Sequence, residues 1–230
     1  MQKKIVTLAV GAALALAATG AFADDGGSNT VRLGVYFVHF EANAGNISGP
    51  YVPGGLNVHL DNVETLYLAY VRTLSTHFNL EFAFGYPPLT KTEGRGPATL
   101  GSVRYNGQII STARWFSPSL LANYVFGDNN SRLRPYVGVG VNYTKFLARQ
   151  STAAGDAASG GPTSIALPAS VGPTVTAGLA YELAEHWHVY ASYSVAEVNS
   201  KLTADTAGVL RTSNIHFWPN TLVVSAGYSF

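Results

Sequence analysis

The last ten residues of the chain, 221–230, alternate between large apolar and small side chains. Because successive side chains of a β-strand point to opposite faces, one face of this segment is apolar up to the terminal carboxylate. That face carries Leu222, Val224, Ala226, Tyr228 and Phe230. Such a strand is typical of a barrel wall with lipid outside and a packed or wet lumen inside. The pattern predicts a β-barrel of the outer membrane of a Gram-negative bacterium.

The N-terminus has the pattern of a secretory signal peptide. A basic start at residues 3–4 precedes an apolar run over about 5–18, and residues 21–23 form a small-x-small cleavage site. The run is too short for a retained membrane helix, which needs about 20 apolar residues. We therefore predict a cleaved signal peptide at 1–23 and a single outer-membrane barrel domain at 24–230.

Composition and motifs exclude several classes of site. The chain has no cysteine, so it can hold neither a disulfide nor a thiolate-bound metal. Its formal net charge is +1 and falls to −1 without Lys3 and Lys4, so no basic field indicates a nucleic-acid partner. Phosphate-binding loops, dinucleotide-binding fingerprints and zinc-protease motifs are absent from the sequence. We predict no cofactor, no metal and no nucleic-acid partner.

Segments of alternating hydrophobicity predict eight strands. They are expected at about Thr30–Phe40, Asp61–Thr73, Phe78–Pro87, Thr112–Phe126, Arg132–Leu147, Val171–Leu183, Trp187–Val198 and Asn214–Phe230. Their connections alternate between long and short, which is typical of a barrel with both termini on the periplasmic side. An even strand count closes the sheet without an edge, as lipid requires. The predicted fold is all-β, an eight-stranded antiparallel up-and-down transmembrane β-barrel, and we expect a monomer.

Three segments of the chain carry a family resemblance. They are SLLANYVFGD at 119–128, RPYVGVGVNYTKF at 134–146 and SAGYSF at 225–230. These segments resemble the OmpW family of small outer-membrane β-barrel proteins, which includes the alkane-uptake protein AlkL. The resemblance implies an eight-stranded barrel that admits small hydrophobic molecules passively, without a cofactor or an energy source.

Charged side chains are expected inside the periplasmic half of the barrel. Assigning faces by the two-residue period places Arg32, Glu81, Arg134 and Glu182 in the lumen. An unpaired charge in a narrow barrel is costly, so these four charges are predicted to neutralise one another. We interpret them as a structural plug rather than a gated ion path.

The extracellular half of the lumen is predicted to be apolar. The same period, with Leu56 added as a cap from the first long loop, points a set of apolar residues inward: Val38, Phe40, Leu56, Val63, Trp115, Phe146 and Phe217. Because an eight-stranded barrel has room only for side chains or one small ligand, this set predicts a pocket rather than a water channel. Two interpretations remain open. The residues either pack the upper barrel or attract an apolar solute.

The predicted plug closes the periplasmic end of the lumen, so a solute needs another exit. The positions of prolines indicate a candidate site in the wall. Pro87 and Pro88 end the third predicted strand and Pro118 lies within the fourth, where each removes a ladder hydrogen-bond donor. We hypothesise that a solute leaves sideways through the wall near these prolines. A harmless distortion near the rim is the other interpretation.

Serine and histidine side chains on one predicted strand raise the alternative of an enzyme. Ser192 lies about 13 Å along its strand from His188, too far for a catalytic pair, so we predict that the protein is not an enzyme. A structural or receptor-like barrel without transport remains the alternative function. The expected partners are outer-membrane lipids and lipopolysaccharide, small hydrophobic solutes, and the barrel-assembly machinery, which would bind the C-terminal strand ending in Phe230.

Overall fold

The computed structural model describes most of the predicted barrel domain. The described residues are 28–40, 42–44, 46–97, 99–100, 103–128 and 130–230. The predicted signal peptide at 1–23 lies outside the described residues and stays a prediction.

The described residues form strands β1 to β17 and one helix, α1. The strands are β1 (Asn29–His39), β2 (Ala42–Ala44), β3 (Asn57–Leu60), β4 (Val63–Thr73), β5 (Phe78–Gly85), β6 (Leu89–Arg95), β7 (Thr99–Leu100), β8 (Val103–Arg104), β9 (Ile109–Phe116), β10 (Ser119–Val125), β11 (Leu133–Ser151), β12 (Thr163–Ala166), β13 (Ser170–Ala184), β14 (Trp187–Ala196), β15 (Val198–Thr206), β16 (Val209–Phe217) and β17 (Asn220–Ser229). Helix α1 (Ala153–Ser159) lies between β11 and β12.

Eight of these strands form a closed antiparallel barrel. The order around the ring is β1, β4, β5, β10, β11, β13, β14 and β17. Strand β17 pairs back onto β1, from Thr30 opposite Ser229 to His39 opposite Asn220. Closure gives the backbone groups of each barrel strand a partner strand on both sides and leaves no free edge. The predicted eight-stranded antiparallel fold is confirmed.

The two ends of the barrel differ in their connections. Residues 74–77 and 185–186, and the described residues 126–128 and 130–132, lie in short connections at the end where Asn29 and Ser229 also lie, and we call this the turn end. The opposite end, the loop end, carries the longer connections. At the turn end Gly127 has a φ of +81°, a left-handed conformation that glycine adopts readily.

The outer face of the barrel is apolar, as the two-residue period predicts. Leu33, Leu120 and Val139 are 57%, 50% and 64% exposed, whereas Arg32 and Leu121 on the inner face are almost completely buried. So much outward apolar surface matches a barrel surrounded by lipid. Among the described residues, no helix is long and apolar enough to span a membrane.

The long connections predicted at the loop end contain more regular structure than expected. The segment predicted as an open loop at Asn199–Ser213 forms most of the β15–β16 hairpin, which joins β12 and β2 in a four-stranded sheet. The long connection between the fifth and sixth predicted strands, Ala148–Ser170, contains α1, capped by Thr152 and ended by left-handed Gly160. The sequence did not indicate this helix, because Gly, Ala and Ser give no apolar period. These elements, together with the segment 47–58 and strands β3, β6 and β9, lie beyond the loop end of the barrel, and we call them the lobe.

One predicted strand is divided in two. The sequence predicts a continuous strand at Thr112–Phe126, but the structure ends β9 at Phe116 and starts β10 at Ser119. Pro118 lies in the break, where its lack of a backbone N–H removes one donor from the ladder. After the break the pairing partner changes: β10 pairs with β5, whereas β9 pairs with β6, and β11 joins both parts in one continuous sheet.

Candidate functional site: the interior of the barrel

A buried ion pair crosses the lumen in the half of the barrel nearer the turn end. The Nη1 atom of Arg32 donates to Oε2 of Glu81 at 3.0 Å, and both side chains are nearly inaccessible. Tyr67 Oη donates to the other carboxylate oxygen at 2.5 Å, and Asn123 Nδ2 donates to Oε2 at 3.1 Å. The charges are therefore paired and hydrogen-bonded, which a buried ion pair needs. We call Arg32, Tyr67, Glu81 and Asn123 the plug.

The guanidinium of Arg32 is held from its other side as well. Its Nε and Nη2 atoms donate to Ser225 Oγ at 3.2 Å each. The ring of Tyr190 lies 4.1 Å from the guanidinium carbon, a cation–π contact. Sequence periodicity did not identify Tyr67, Tyr190 and Ser225 as partners of Arg32, because a period assigns a face but not the partner across the lumen.

The predicted four-charge plug is wrong for two of its members. Arg134 lies nearer the turn end and donates through Nη2 to the backbone carbonyl of Thr76. Among the described residues, no ion pair joins Arg134 to Glu182. Glu182 lies opposite His188 in the β13–β14 ladder near the rim, where its carboxylate is half-exposed. Glu182 is partly exposed near the rim and needs no partner in the floor, whereas the Nε atom of Arg134 is buried and has no hydrogen-bond partner among the described residues.

Aromatic side chains close the lumen near the loop end. Trp115 is the centre of this group: its ring centroid lies 4.3 Å from that of Phe40, 5.6 Å from that of Phe217 and 5.7 Å from that of Phe146. All four side chains are buried. We call Phe40, Trp115, Phe146 and Phe217 the partition. Val38 and Val63 pack against it.

A cavity lies between the plug and the partition. This barrel cavity has a volume of about 90 Å³. Val38, Phe40, Val63 and Trp115 line it towards the loop end, while Glu81 lines it towards the turn end. Hydroxyl and amide groups of several barrel strands line its sides, among them Ser119, Asn142, Thr174 and Thr221. The cavity is apolar at one end and polar at the other.

Three of the apolar residues from the sequence analysis lie outside the barrel cavity. Phe146 and Phe217 face a smaller cavity of about 30 Å³ on the loop-end side of the partition. Leu56 is buried, but it lines a further cavity in the lobe and does not cap the partition. The predicted residues therefore line three separate cavities rather than one pocket, and four of the seven line the barrel cavity.

The barrel cavity reaches the wall where the ladder is interrupted. Strands β5 and β10 pair up to Ala83 opposite Ser119, and the next pair between the same two chain segments is Leu89 opposite Arg114. Between them, residues 84–88 and 115–118 have no ladder pair with each other. We call these residues the seam. Residues from both of its sides line the barrel cavity: Gly85, Pro88, Trp115 and Ser117.

Two contacts cover the seam on its outer side. The Nη1 atom of Arg114 donates to the carbonyl of Pro87 at 2.9 Å, which joins β9 to the other side of the seam. The rings of Phe84 and Phe116 meet edge to face with centroids 6.4 Å apart. The seam therefore depends on two side-chain contacts where the rest of the wall has backbone hydrogen bonds.

A wide polar vestibule lies on the other side of the plug. It has a volume of about 700 Å³ and opens among the turns of the turn end. Arg32, Glu81, Arg134 and His188 are among its lining residues. Glu81 lines both the vestibule and the barrel cavity, so the plug is the boundary between them. Among the described residues, no group of three or more His, Asp or Glu side chains could hold a metal ion.

An apolar outer wall, a closed ring of eight strands and a lumen blocked at two levels define a small β-barrel of the outer membrane. The family model described as the OmpW family matches residues 26–230, so this chain belongs to the OmpW family of Gram-negative outer-membrane proteins. It is 27% identical over 230 residues to outer membrane protein W of Vibrio cholerae, covering 100% of both chains.

Two further similarities agree with this assignment. The chain is 24% identical over 185 residues to outer membrane protein AlkL of Ectopseudomonas oleovorans, covering 80% of this chain and 74% of the relative. Its fold is similar to the crystal structure of OprG from Pseudomonas aeruginosa, with a TM-score of 0.79 and 20% identity. That match covers 89% of this chain and 96% of OprG. The family resemblance of the three sequence segments is confirmed.

Proposed function

We propose that this barrel takes up small hydrophobic molecules passively across the outer membrane. In this proposal an apolar solute passes the partition, occupies the barrel cavity and leaves sideways through the seam into the lipid. No chemical step is involved, so no residue is assigned a catalytic role.

One observation carries the proposal: the barrel cavity is blocked along the barrel axis but reaches the wall where the β-ladder is interrupted. The buried pair of Arg32 and Glu81 closes the cavity towards the turn end. Gly85, Pro88 and Ser117 bring the cavity to the seam. A polar solute has no continuous aqueous path, whereas an apolar solute gains about 25 cal/mol for each Å² of apolar surface removed from water.

The prolines support a sideways exit. Pro87 and Pro88 lie between β5 and β6, and Pro118 lies between β9 and β10, on the two sides of the seam. None of the three has an N–H with which to bridge the gap. In this reading they keep the seam free of backbone hydrogen bonds while the rest of the wall stays closed.

The proposal also includes an orientation of the barrel in the membrane and a set of partners. We place the turn end and both termini in the periplasm and the lobe outside the cell, in the lipopolysaccharide layer. The barrel acts as a monomer and takes its solute from outside. The C-terminal strand ending in Phe230 is proposed as the contact with the barrel-assembly machinery.

A structural or receptor-like barrel without transport is the second candidate. It is favoured by the tight packing of the partition, where Trp115 contacts three aromatic rings. In that reading the partition only keeps the upper barrel from collapsing. The lobe would then be the surface that other molecules bind.

Initial uptake in cells separates the two candidates. A strain lacking the barrel and a strain expressing it are supplied with a radiolabelled small hydrocarbon at limiting concentration, and uptake is followed over the first minutes. Transport predicts faster uptake with the barrel present. A labelled sugar of similar size is the matched control and should enter both strains at equal rates. Equal hydrocarbon uptake in both strains supports the structural candidate and contradicts the proposal.

A further inference from the structure

A second apolar cavity lies in the lobe, on the far side of the partition from the barrel cavity. This upper cavity has a volume of about 100 Å³. Its walls come from the segment 47–58, from α1 and from the β15–β16 hairpin, and they include Leu56, Val58 and Leu202. It shares no lining residue with the barrel cavity. It is therefore a separate site rather than an extension of the barrel lumen.

One polar group in this cavity lacks a partner. Tyr105 lines the cavity and is 4% exposed, yet its hydroxyl makes no hydrogen bond with any described residue. Its ring lies against Gly94, where an added Cβ would come within 2.9 Å of the ring. A buried hydroxyl without a partner costs roughly 1–3 kcal/mol. The oxygen itself has almost no accessible surface, so a ligand in the cavity restores a bond to it only after a small shift of the Tyr105 ring. Burial raises the pKa of Tyr105 to about 12, which keeps the hydroxyl protonated and able to donate at neutral pH.

A smaller cavity continues from the upper cavity towards the partition. This is the cavity of about 30 Å³ that Phe146 and Phe217 face. It shares Val58, Ile165 and Leu202 with the upper cavity. Thr90 lines it, is 1% exposed and also has a hydroxyl that makes no hydrogen bond within the described part of the chain. The two orphan hydroxyls lie along one path from the lobe to the partition.

We propose that the upper cavity is a binding site for small, mainly apolar molecules that carry one hydrogen-bond acceptor, with the Tyr105 hydroxyl as the donor. The apolar walls select against ions and sugars, because they offer few partners for additional polar groups. Tyr105 selects a solute with a carbonyl, ether or nitrile group over a pure hydrocarbon of the same shape. The proposal deepens the proposed function and rests on it for the physiological role, whereas binding to the purified protein is independent of transport.

Benzonitrile and phenylacetylene form a suitable pair of ligands, because they have nearly the same shape and only the nitrile is a good acceptor. Their affinities are measured by equilibrium dialysis with the purified full chain in lipid nanodiscs, against empty nanodiscs. Benzonitrile should bind wild type about two- to tenfold more tightly than it binds Tyr105→Phe, the range expected for one neutral hydrogen bond. Phenylacetylene should bind both proteins equally.

The nitrile stretching band gives a second readout that a merely structural role of Tyr105 would not change. A hydrogen bond to the nitrile nitrogen should shift this band in wild type, and the shift should disappear in Tyr105→Phe. Ala204→Phe, which fills the upper cavity, is the control and should abolish specific binding of both ligands. Equal benzonitrile affinity and an unshifted band in wild type and Tyr105→Phe would overturn the proposal. Absence of uptake in cells with intact benzonitrile binding would instead count against transport alone.

Discussion

Arg32 and Glu81 form an ion pair inside the barrel, with 3.0 Å between Nη1 and Oε2, and neither side chain is more than 6% exposed. Arg32 lies on β1 and Glu81 on β5, with β4 between them in the ring. Tyr67, which reaches the carboxylate, comes from that intervening strand. The pair therefore joins three adjacent strands across the interior and separates the vestibule from the barrel cavity.

Breaking this pair should be more damaging than replacing it. Glu81→Gln leaves the Arg32 charge buried without a counter-charge, and the free energy of unfolding should fall by about 3–5 kcal/mol. The double variant Arg32→Met with Glu81→Leu should lose much less, because no charge is left buried. Urea unfolding in lipid vesicles measures both. Glu64→Gln, an exposed carboxylate on β4, is the control and should change stability by less than about 0.5 kcal/mol. Equal stability of Glu81→Gln and wild type would contradict this view of the plug.

Removing the central ring of the partition tests whether the partition limits transport. Trp115→Ala removes contacts with Phe40, Phe146 and Phe217 and should lower the free energy of unfolding by about 3–5 kcal/mol. If the solute passes here, initial hydrocarbon uptake per folded barrel should rise. Trp218→Ala, an exposed tryptophan on the outer face, is the control and should alter neither quantity much. Loss of stability without any change in uptake would mean that the partition is only packing.

The contact that joins the two sides of the seam should restrain lateral exit. Arg114→Gln removes the hydrogen bond to the Pro87 carbonyl, and hydrocarbon uptake should become faster because the seam opens more easily. Arg72→Gln is a matched control, since Arg72 also makes one side-chain hydrogen bond, to Asn29, but lies away from the seam. Initial uptake rates, normalised to the amount of folded barrel, decide the outcome. Equal rates for Arg114→Gln and wild type would leave the seam without a role in transport.

The sequence predicted the face of a side chain correctly where the two-residue period of a strand determines it. This period assigned the outer wall, since the exposed Leu33 and Val139 lie on predicted lipid-facing positions. It also assigned Phe40 and Trp115 to the inner face, and both are buried in the structure. It could not assign partners across the lumen, so Arg134 was included in a plug of four charges. Arg134 instead donates to the backbone carbonyl of Thr76 in a turn. Because every residue has a backbone carbonyl, residue types cannot indicate this partner.

Long-range register accounts for most of what sequence reasoning missed. The seam arises because the ladder stops at Ala83 opposite Ser119 and resumes at Leu89 opposite Arg114. Proline positions indicated that the wall is interrupted there, but not that a cavity meets the interruption. Leu56 was misplaced because its position depends on how the first long connection folds over the lobe, which no local pattern specifies.

Cross-linking the seam tests the sideways route most directly, and the cysteine-free chain makes the experiment clean. Gly85→Cys with Ser117→Cys places one thiol on each side of the seam at the barrel cavity, and a short reducible dithiol cross-linker joins them. Phe82→Cys with Leu120→Cys, opposite each other in the intact β5–β10 ladder, is the control. We predict that hydrocarbon uptake stops when the seam is cross-linked, returns on reduction and is unaffected in the control. Unchanged uptake through a fully cross-linked seam would contradict the account.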